Sequence, residues 1–476
     1  MEKPANPFIP SPDRLISVLS PRFVTPSPAG RGADALVPRD TTSHDWYLPV
    51  RAKFALSLAI STAWFAFSWW LATLWIRDLS AIMGPFAAWF AVGGIALVPG
   101  FMNAFLAASL LVDWRPGRRV PVQYPGVSIL VAAYNEGASI ADTIQSIAKS
   151  DYPGDFEVIV VDDGSSDETA DTAAAQPYPW LRVLRQPRNL GKSAALNRGL
   201  AESRYGLTVT LDGDSYLYRD ALQRLVERYL NDPADTRAVA GTMLVRNSRR
   251  NWVTRAQEWD YFHGIAAIKR IQSLYQGTLV AQGAFSIYDR ETLRELGGWD
   301  DCVGEDIVLT WAFLQAGWRV GYAEDACCFT NAPDSIKQFI RQRQRWARGM
   351  MEAFRRHPRV LLAPRMSTLF IWWNLLFPWL DMAYTLFFLP GVVLALFGIY
   401  WIAGSMTLML LPMALVMNYL MFHIEVAMFA RQGLRVRRNV SGFLIYAFAY
   451  SAILQPACVW GYLSEVLGLR KTWGTK

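Results

Sequence analysis

The sequence predicts a membrane protein in which an α/β domain, built on a parallel sheet, is inserted between apolar helical segments. Composition is the first observation: of 476 residues 52% are apolar, including 20 Trp and 25 Phe, and only 18% are charged. That balance belongs to a membrane protein carrying a soluble part, and the length allows two or three domains. The second is that long apolar runs fill the chain before about residue 113 and after about residue 365. The third is the change of pattern between them: from Val127 to roughly Asp334, short apolar runs alternate with helical periods. Strands alternating with helices argue for a parallel sheet whose ligands bind at the carboxyl ends of its strands.

Residues 1–50 hold nine prolines among Ser, Thr, Gly and Arg, so they read as a flexible tail. No charged, apolar and small-residue cleavage pattern opens the chain, so a removed signal peptide is not expected. Residues 51–113 read as two membrane helices: Phe54 to Ile76, and about Ile82 to Val112 with an interruption at Pro99-Gly100. The basic loop Arg115 to Arg119 then places the α/β domain in the cytoplasm. Residues 120–335 carry the strand runs "VSILVAA", "FEVIVV", "LRVL" and "LTVTLD", with Ser139 a candidate cap for the helix after the first.

Residues 336–380 read as amphipathic interface helices and 381–470 as membrane helices. Ile336, Phe339, Ile340, Ala347, Met350, Met351 and Phe354 recur at helical spacing, which predicts an amphipathic helix at the membrane surface. Phe370 to Ile402 is too long for one straight span, so "FIWWNLLFPW" is expected to lie at the interface before a shorter span. Met406 to Phe429 and Phe443 to Leu467 read as further spans, with the loop Arg431 to Arg438 facing the cytoplasm. The formal charge is +7, and between Ile336 and Arg365 nine basic residues face one acidic residue, Glu352. Because this cluster adjoins membrane segments, a nucleic-acid partner is not expected. Cys302, Cys327, Cys328 and Cys458 lack the C-x-x-C spacing of a zinc or redox site and read as reduced thiols.

Chemistry gathers where the short runs end. "AAYNEG", Ala132 to Gly137, and "VVDDGSSDET", Val160 to Thr169, put carboxylates straight after strands, where they would hold a nucleotide or merely cap a helix. "NLGKSAALNRGL" tempts a phosphate-loop reading, but Gln186 stands where that motif needs glycine; Lys192 would still reach a diphosphate at the following helix. "VTLDGDSYL" offers Asp212 and Asp214, and alternation along an extended chain points both to one side. Two hard oxygen donors suit Mg²⁺ or Mn²⁺ shared with substrate phosphates. Glu305 and Asp306 open an amphipathic helix, as caps or, for one of them, as a general base. In "FIRQRQRWARGM", Gln342, Arg345 and Trp346 fall at i, i+3 and i+4 on one helix face, fit to stack on a sugar and hold hydroxyls or a phosphate, or simply to anchor an interfacial helix.

Taken in order, "DDGS", "DGD", "GED" and "QRQRW" resemble the processive, membrane-embedded family 2 glycosyltransferases. That group includes cellulose, hyaluronan, chitin-oligosaccharide and poly-N-acetylglucosamine synthases. The resemblance covers roughly Val127 to Met350 and the flanking membrane segments. It implies a GT-A catalytic domain on the cytoplasmic side of the bacterial inner membrane. The nucleotide-sugar, a UDP-sugar, would lie near Ala133, Glu136, Asp162 and Asp163, with Lys192 and Asp212 nearby. Asp214, with Asp212, would ligate Mg²⁺ or Mn²⁺. Asp306 of the Glu305-Asp306 pair matches the base, and Gln342, Arg345 and Trp346 match the Q-x-x-R-W motif facing the donor. Trp346 would also line the acceptor site, with Gln282 and Gly283 of "VAQGAFSIY" as further acceptor candidates.

The reaction implied is attack by a chain-end hydroxyl on the anomeric carbon, inverting an α-linked donor into a β-linked product. The partners implied are the UDP-sugar, the growing polysaccharide, the lipid bilayer and accessory export subunits. "GED" with "RWAR" leans towards hexosamine-polymerising members. A β-glucan synthase using UDP-glucose and a non-processive enzyme with a lipid acceptor are the alternatives. From another class, a nucleotide-binding transporter or scaffold draws slight support from Asp381, His423 and Glu425 within apolar segments.

Overall fold

The computed structural model describes residues 36–38, 48–115, 119–404 and 436–469, with six further positions between 419 and 430. Most of the expected span Met406 to Phe429, Glu425, most of the loop Arg431 to Arg438 and most of the Pro-rich tail therefore lie outside the described residues. Within the stretch read as that tail, Leu36–Pro38 forms a strand, β1, antiparallel to β2, Arg119–Pro121.

Helix α1, Val50–Met83, meets α2, Pro85–Leu111, at Gly84. The break falls there, and not at Pro99-Gly100, because Gly84 has φ +82, a conformation that side chains rarely adopt. Pro85 then supplies a preset first turn. Pro99 is absorbed without a break because a π-helical stretch, Gly93–Leu97, precedes it.

The next residues form an eight-stranded sheet in the order β5-β4-β3-β6-β9-β8-β10-β7. Its parallel half holds β3 (Val127–Ala133), β4 (Phe156–Asp162), β5 (Leu181–Arg185) and β6 (Leu207–Asp212). The sheet is mixed, which corrects the all-parallel expectation. Strand β9 (Phe285–Asp289) runs antiparallel between β6 and β8 (Thr236–Val245), and β7 (Tyr216–Leu217) closes antiparallel on β10 (Arg319–Thr330).

Alternation along β3 and β4 sorts their side chains into two layers. Ile129, Val131, Val158 and Val160 pack under α3, Ile140–Ala148. Leu130, Ile159 and Val161 join the core that holds α4, Lys192–Glu202, and runs on to Met102 and Phe105 of α2. One face of the sheet is thus continuous with the apolar helices. Ser139 does not cap α3: its hydroxyl donates to the Glu136 carboxylate at 2.7 Å.

The remaining helices that position the site are α5 (Ala221–Asn231), α6 (Ala266–Leu274), α7 (Glu305–Gln315) and α8 (Ile336–Arg356). Ser335 caps α8, accepting from Gln338 N at 3.3 Å. Its buried face departs from the apolar stripe expected: Ile336 is exposed, while Gln342, Arg343, Arg348 and Glu352 are buried beside Phe339, Ala347 and Met350. Two of its arginines pair inside the protein, Arg343 with Asp260 and Arg348 with Glu465.

Beyond it, α9 is one continuous helix, Thr368–Leu396, with a π-helical stretch at Tyr384–Phe388. No interfacial segment is separated from a shorter span near residue 380, because the π turn precedes Pro390 and the chain passes Pro378 without breaking. With α10, Val440–Val466, four helices among the described residues are long and apolar enough to cross a membrane: α1, α2, α9 and α10. The four cysteines are free, three of them buried.

Candidate active site

The site is assembled where β6 ends. The Lys192 amine, at the first turn of α4, lies 2.5 Å from Asp212 Oδ1 and 3.6 Å from Glu305 Oε1. A strand end, a helix start and the acidic start of α7 are thereby tied to one ammonium. Gly283 forms the wall: a Cβ there would lie 3.0 Å from Lys192 Nζ and 3.6 Å from Glu305 Oε1. Burial would depress the ammonium of Lys192, but the surrounding carboxylates of Asp212, Glu305 and Asp306 carry it above its ordinary range. Burial, with the adjacent Asp306 charge, pushes the Glu305 carboxyl well above the usual carboxylate range, against the pull of Lys192 and Arg345. Arg345 of α8 thus reaches the electrostatic field of the pair.

Asp214 sits in the turn after β6, so strand alternation is not what aims it. It accepts from Thr330 Oγ1 at 3.4 Å, and with Asp212 it raises the Cys328 thiol further than burial alone does. Gly213 between them packs on Ala133 and Glu136, whose atoms would lie 3.2 and 3.4 Å from a Cβ there. Asp162 accepts from Ser165 N at 3.3 Å, which shapes the turn after β4. Asp163 is committed more fully: it accepts from Gln186 Nε2, Leu190 N and Gly191 N, each at 2.8 Å. Its side chain builds the 186–191 loop that delivers Lys192.

The opposite wall belongs to α8. Trp346 is 39% exposed, with the Arg343 guanidinium 4.1 Å above its ring and Tyr261 beside it at 6.4 Å. Gln342 is buried against Tyr261, and its Oε1 makes no hydrogen bond. Gln282 is spent on the scaffold: its Nε2 donates to Gly241 O, and its Oε1 accepts from Lys269.

Sequence reasoning missed Lys269 and Arg343. Lys269 follows the apolar run "GIAAI" and precedes Arg270, and a cation at the end of such a run was the available signal. Burial lowers it to about 7, with Asp306 pulling the other way. Arg343 lies inside "QRQRW", where it reads as one more surface charge. Its partner Asp260, isolated among aromatics in "EWDYFHG", could have revealed it.

Residues 125–349 match the family model described as "Glycosyltransferase like family 2". This stretch is a family 2 glycosyltransferase-like domain. The chain is 32% identical over 236 residues to the poly-β-1,6-N-acetyl-D-glucosamine synthase of Staphylococcus epidermidis, covering 49% of this chain and 57% of that one. A synthase of the same name from Staphylococcus aureus strain COL is 32% identical over 234 residues, covering 48% and 56%. The chain spans a little over half the length of these curated relatives.

Among solved structures, a mannosyltransferase from Pyrobaculum calidifontis, in complex with GDP-mannose and Mn²⁺, superposes with a TM-score of 0.51 at 19% identity. The match covers 88% of this chain and 99% of that one. This glycosyltransferase-like domain therefore has the GT-A-like fold that the sequence motifs implied, on a mixed rather than a parallel sheet, and the four apolar helices found among the described residues flank it and mark association with a membrane.

Proposed function

We propose that the chain is an inverting, processive glycosyltransferase that polymerises a β-linked polysaccharide from a UDP-sugar, UDP-N-acetylglucosamine in the first instance, and passes it across the inner membrane. The catalytic domain faces the cytoplasm. The observation that carries the reading is the convergence of Lys192, Asp212 and Glu305, with Gly283 approaching them too closely to carry a side chain without displacing them. The hexosamine preference rests on the relatives named above.

In this reading Lys192 and Arg345 face the diphosphate, and Asp306 takes the proton of the acceptor hydroxyl as it attacks the anomeric carbon. Glu305, buried against Lys192, holds that lysine on the donor side. Trp346, 39% exposed, offers a sugar-stacking face, with Gln342 buried on the same helix behind it. Ala133, Glu136 and Asp162 border the nucleotide. Asp163 and Gln282 act through the loop and the lysine they hold.

Asp212 and Asp214 fit a divalent cation shared with substrate. Among the described residues no group of three His, Cys, Asp or Glu could hold one, and Mg²⁺ or Mn²⁺ needs few carboxylates when phosphates complete its shell. Such an ion would neutralise charge on the leaving diphosphate.

The test offers membranes UDP-N-acetylglucosamine and UDP-glucose separately, with Mg²⁺ or Mn²⁺, and sizes the product. A long hexosamine polymer, lost in Asp306→Asn, is expected. Incorporation of glucose alone would overturn the donor assignment. Polymer made at the normal rate by Asp306→Asn would overturn the base, and addition of a single sugar would overturn processivity.

A further inference from the structure

Glu305 and Asp306 open α7, and a general base must be held to a fraction of an ångström. Its anchor comes from α8. Glu352, buried and beyond Trp346 on that helix, accepts from Val303 N at 2.9 Å and from Gly304 N at 3.1 Å with the same oxygen, Oε2. These amides lie immediately before α7, where a helix start leaves N–H groups in need of acceptors. A carboxylate from a different helix fills that need.

Alongside, the two backbones meet at glycines. A Cβ on Gly304 would stand 2.5 Å from Gly349 Cα, and one on Gly349 would stand 2.7 Å from Gly304 Cα. Only at such a distance does the Glu352 side chain reach both amides. The helix presenting Gln342, Arg345 and Trp346 and the turn presenting Asp306 are therefore one bonded unit.

We propose that Glu352 is a positioning residue for sugar transfer: its carboxylate, with the Gly304–Gly349 contact, fixes the distance between the base turn and the acceptor-facing helix. The proposal rests on the reading of Asp306 as base and Trp346 as acceptor wall. It goes beyond that reading by assigning the spacing of the two to a residue that touches neither substrate.

The purified full-length protein in detergent tests it with Glu352→Gln, Glu352→Ala, Gly349→Ala and Asp306→Asn. Transfer rate, donor KM, UDP released per sugar incorporated, and amide hydrogen exchange of peptides covering 300–306 would be measured. Displacing the base by about 1 Å can cost on the order of 100-fold in rate. Glu352→Ala is therefore expected to lose about that factor in kcat with donor KM within about twofold, and to release more UDP per sugar transferred, because free water suffers less from misalignment than a chain-end hydroxyl. Exchange should accelerate at Val303 and Gly304.

Glu352→Gln keeps one acceptor oxygen and should recover most of the rate, which a simple need for negative charge does not predict. Gly349→Ala favours the helix locally, so its loss of rate would come from pushing Gly304 away. If Glu352→Ala fails to fold, Glu352→Gln and Gly349→Ala carry the same readouts. Unchanged exchange at 303–304, or an unchanged UDP-to-sugar ratio in folded variants, would overturn the proposal while Asp306→Asn is inactive. Activity in Asp306→Asn would instead overturn the reading on which it rests.

Discussion

Arg343 shows how one side chain sets the position of another. Its guanidinium donates to Asp260 Oδ2 at 2.8 Å and to the Tyr450 hydroxyl at 3.0 Å while lying 4.1 Å over the Trp346 ring. A planar cation can pair and stack at once; an ammonium cannot. Arg343→Lys should therefore keep the fold and weaken acceptor binding, read as shorter polymer at fixed acceptor concentration. Arg343→Ala strands buried Asp260, and such losses cost roughly 3–5 kcal/mol, visible in thermal unfolding. Lys269 yields a pH prediction. Burial lowers it from 10.5 to about 7, so across that window the unfolded chain binds a proton that the folded one does not. Stability from this group rises as pH rises from 7 towards 10.5 and is lost as pH falls through the same range. In Lys269→Met the unfolding midpoint should depend less steeply on pH between 7 and 10; an unchanged slope would refute the buried, neutral lysine.

At the scale of elements, α8 is gripped on two sides. Val303 and Gly304 hang from its Glu352, and on the other side Arg348 and Arg355 reach Glu465 of α10 at 3.2 and 3.0 Å. Gly461 lets the helices touch: a Cβ there would lie 2.7 Å from Gln344 O and 2.8 Å from Ala347 Cβ. Gly461→Ala should force α8 and α10 apart, at about 1–3 kcal/mol by the usual cost of overpacking, and should lower transfer as well as the unfolding midpoint. A variant that unfolds earlier but transfers normally would show that α10 supports α8 without setting its position. The same helix marks what the sequence made legible. Periodicity predicted α8, and the order of the acidic motifs predicted the strand ends beneath the site, because both are local patterns. The direction of β9 was not legible, since it depends on where the chain re-enters the sheet after α6. Nor were the partners of Arg343, Arg348 and Glu352, which come from residues 83, 117 and 48 to 49 positions away. Charges on a helix look solvated until a distant element covers them.

For the molecule as a whole, the decisive join is between the apolar helices and the sheet. Asp113, just past α2, is nearly inaccessible and accepts from Arg115 Nε at 2.8 Å and from Arg270 Nε. Arg115 also donates to Arg270 O at 2.6 Å and lies 3.6 Å from Glu324 on β10. Lys53 of α1 donates to Trp114 O, and Ser57 and Ser109 share the Tyr275 hydroxyl at 3.2 and 3.1 Å. Arg270 belongs to α6 and Tyr275 comes directly after it, and α6 also carries Lys269, which feels the charge of Asp306. Removing the central carboxylate should therefore disturb both stability and chemistry. Asp113→Ala leaves two arginines facing each other with little water, which costs on the order of 3 kcal/mol, whereas Asp113→Asn keeps acceptor oxygen and should cost less. A surface pair serves as the control. Arg185 and Asp171 are side chains 55% and 76% exposed, and pairs of that kind contribute about 0–1 kcal/mol. Unfolding midpoints and transfer rates of Asp113→Ala and Asp171→Ala, measured together in detergent, should differ clearly, with only the former slowing transfer per folded molecule. Equal, mild effects would mean that the apolar helices and the catalytic domain are merely adjacent, and that α6 takes its position from the sheet alone.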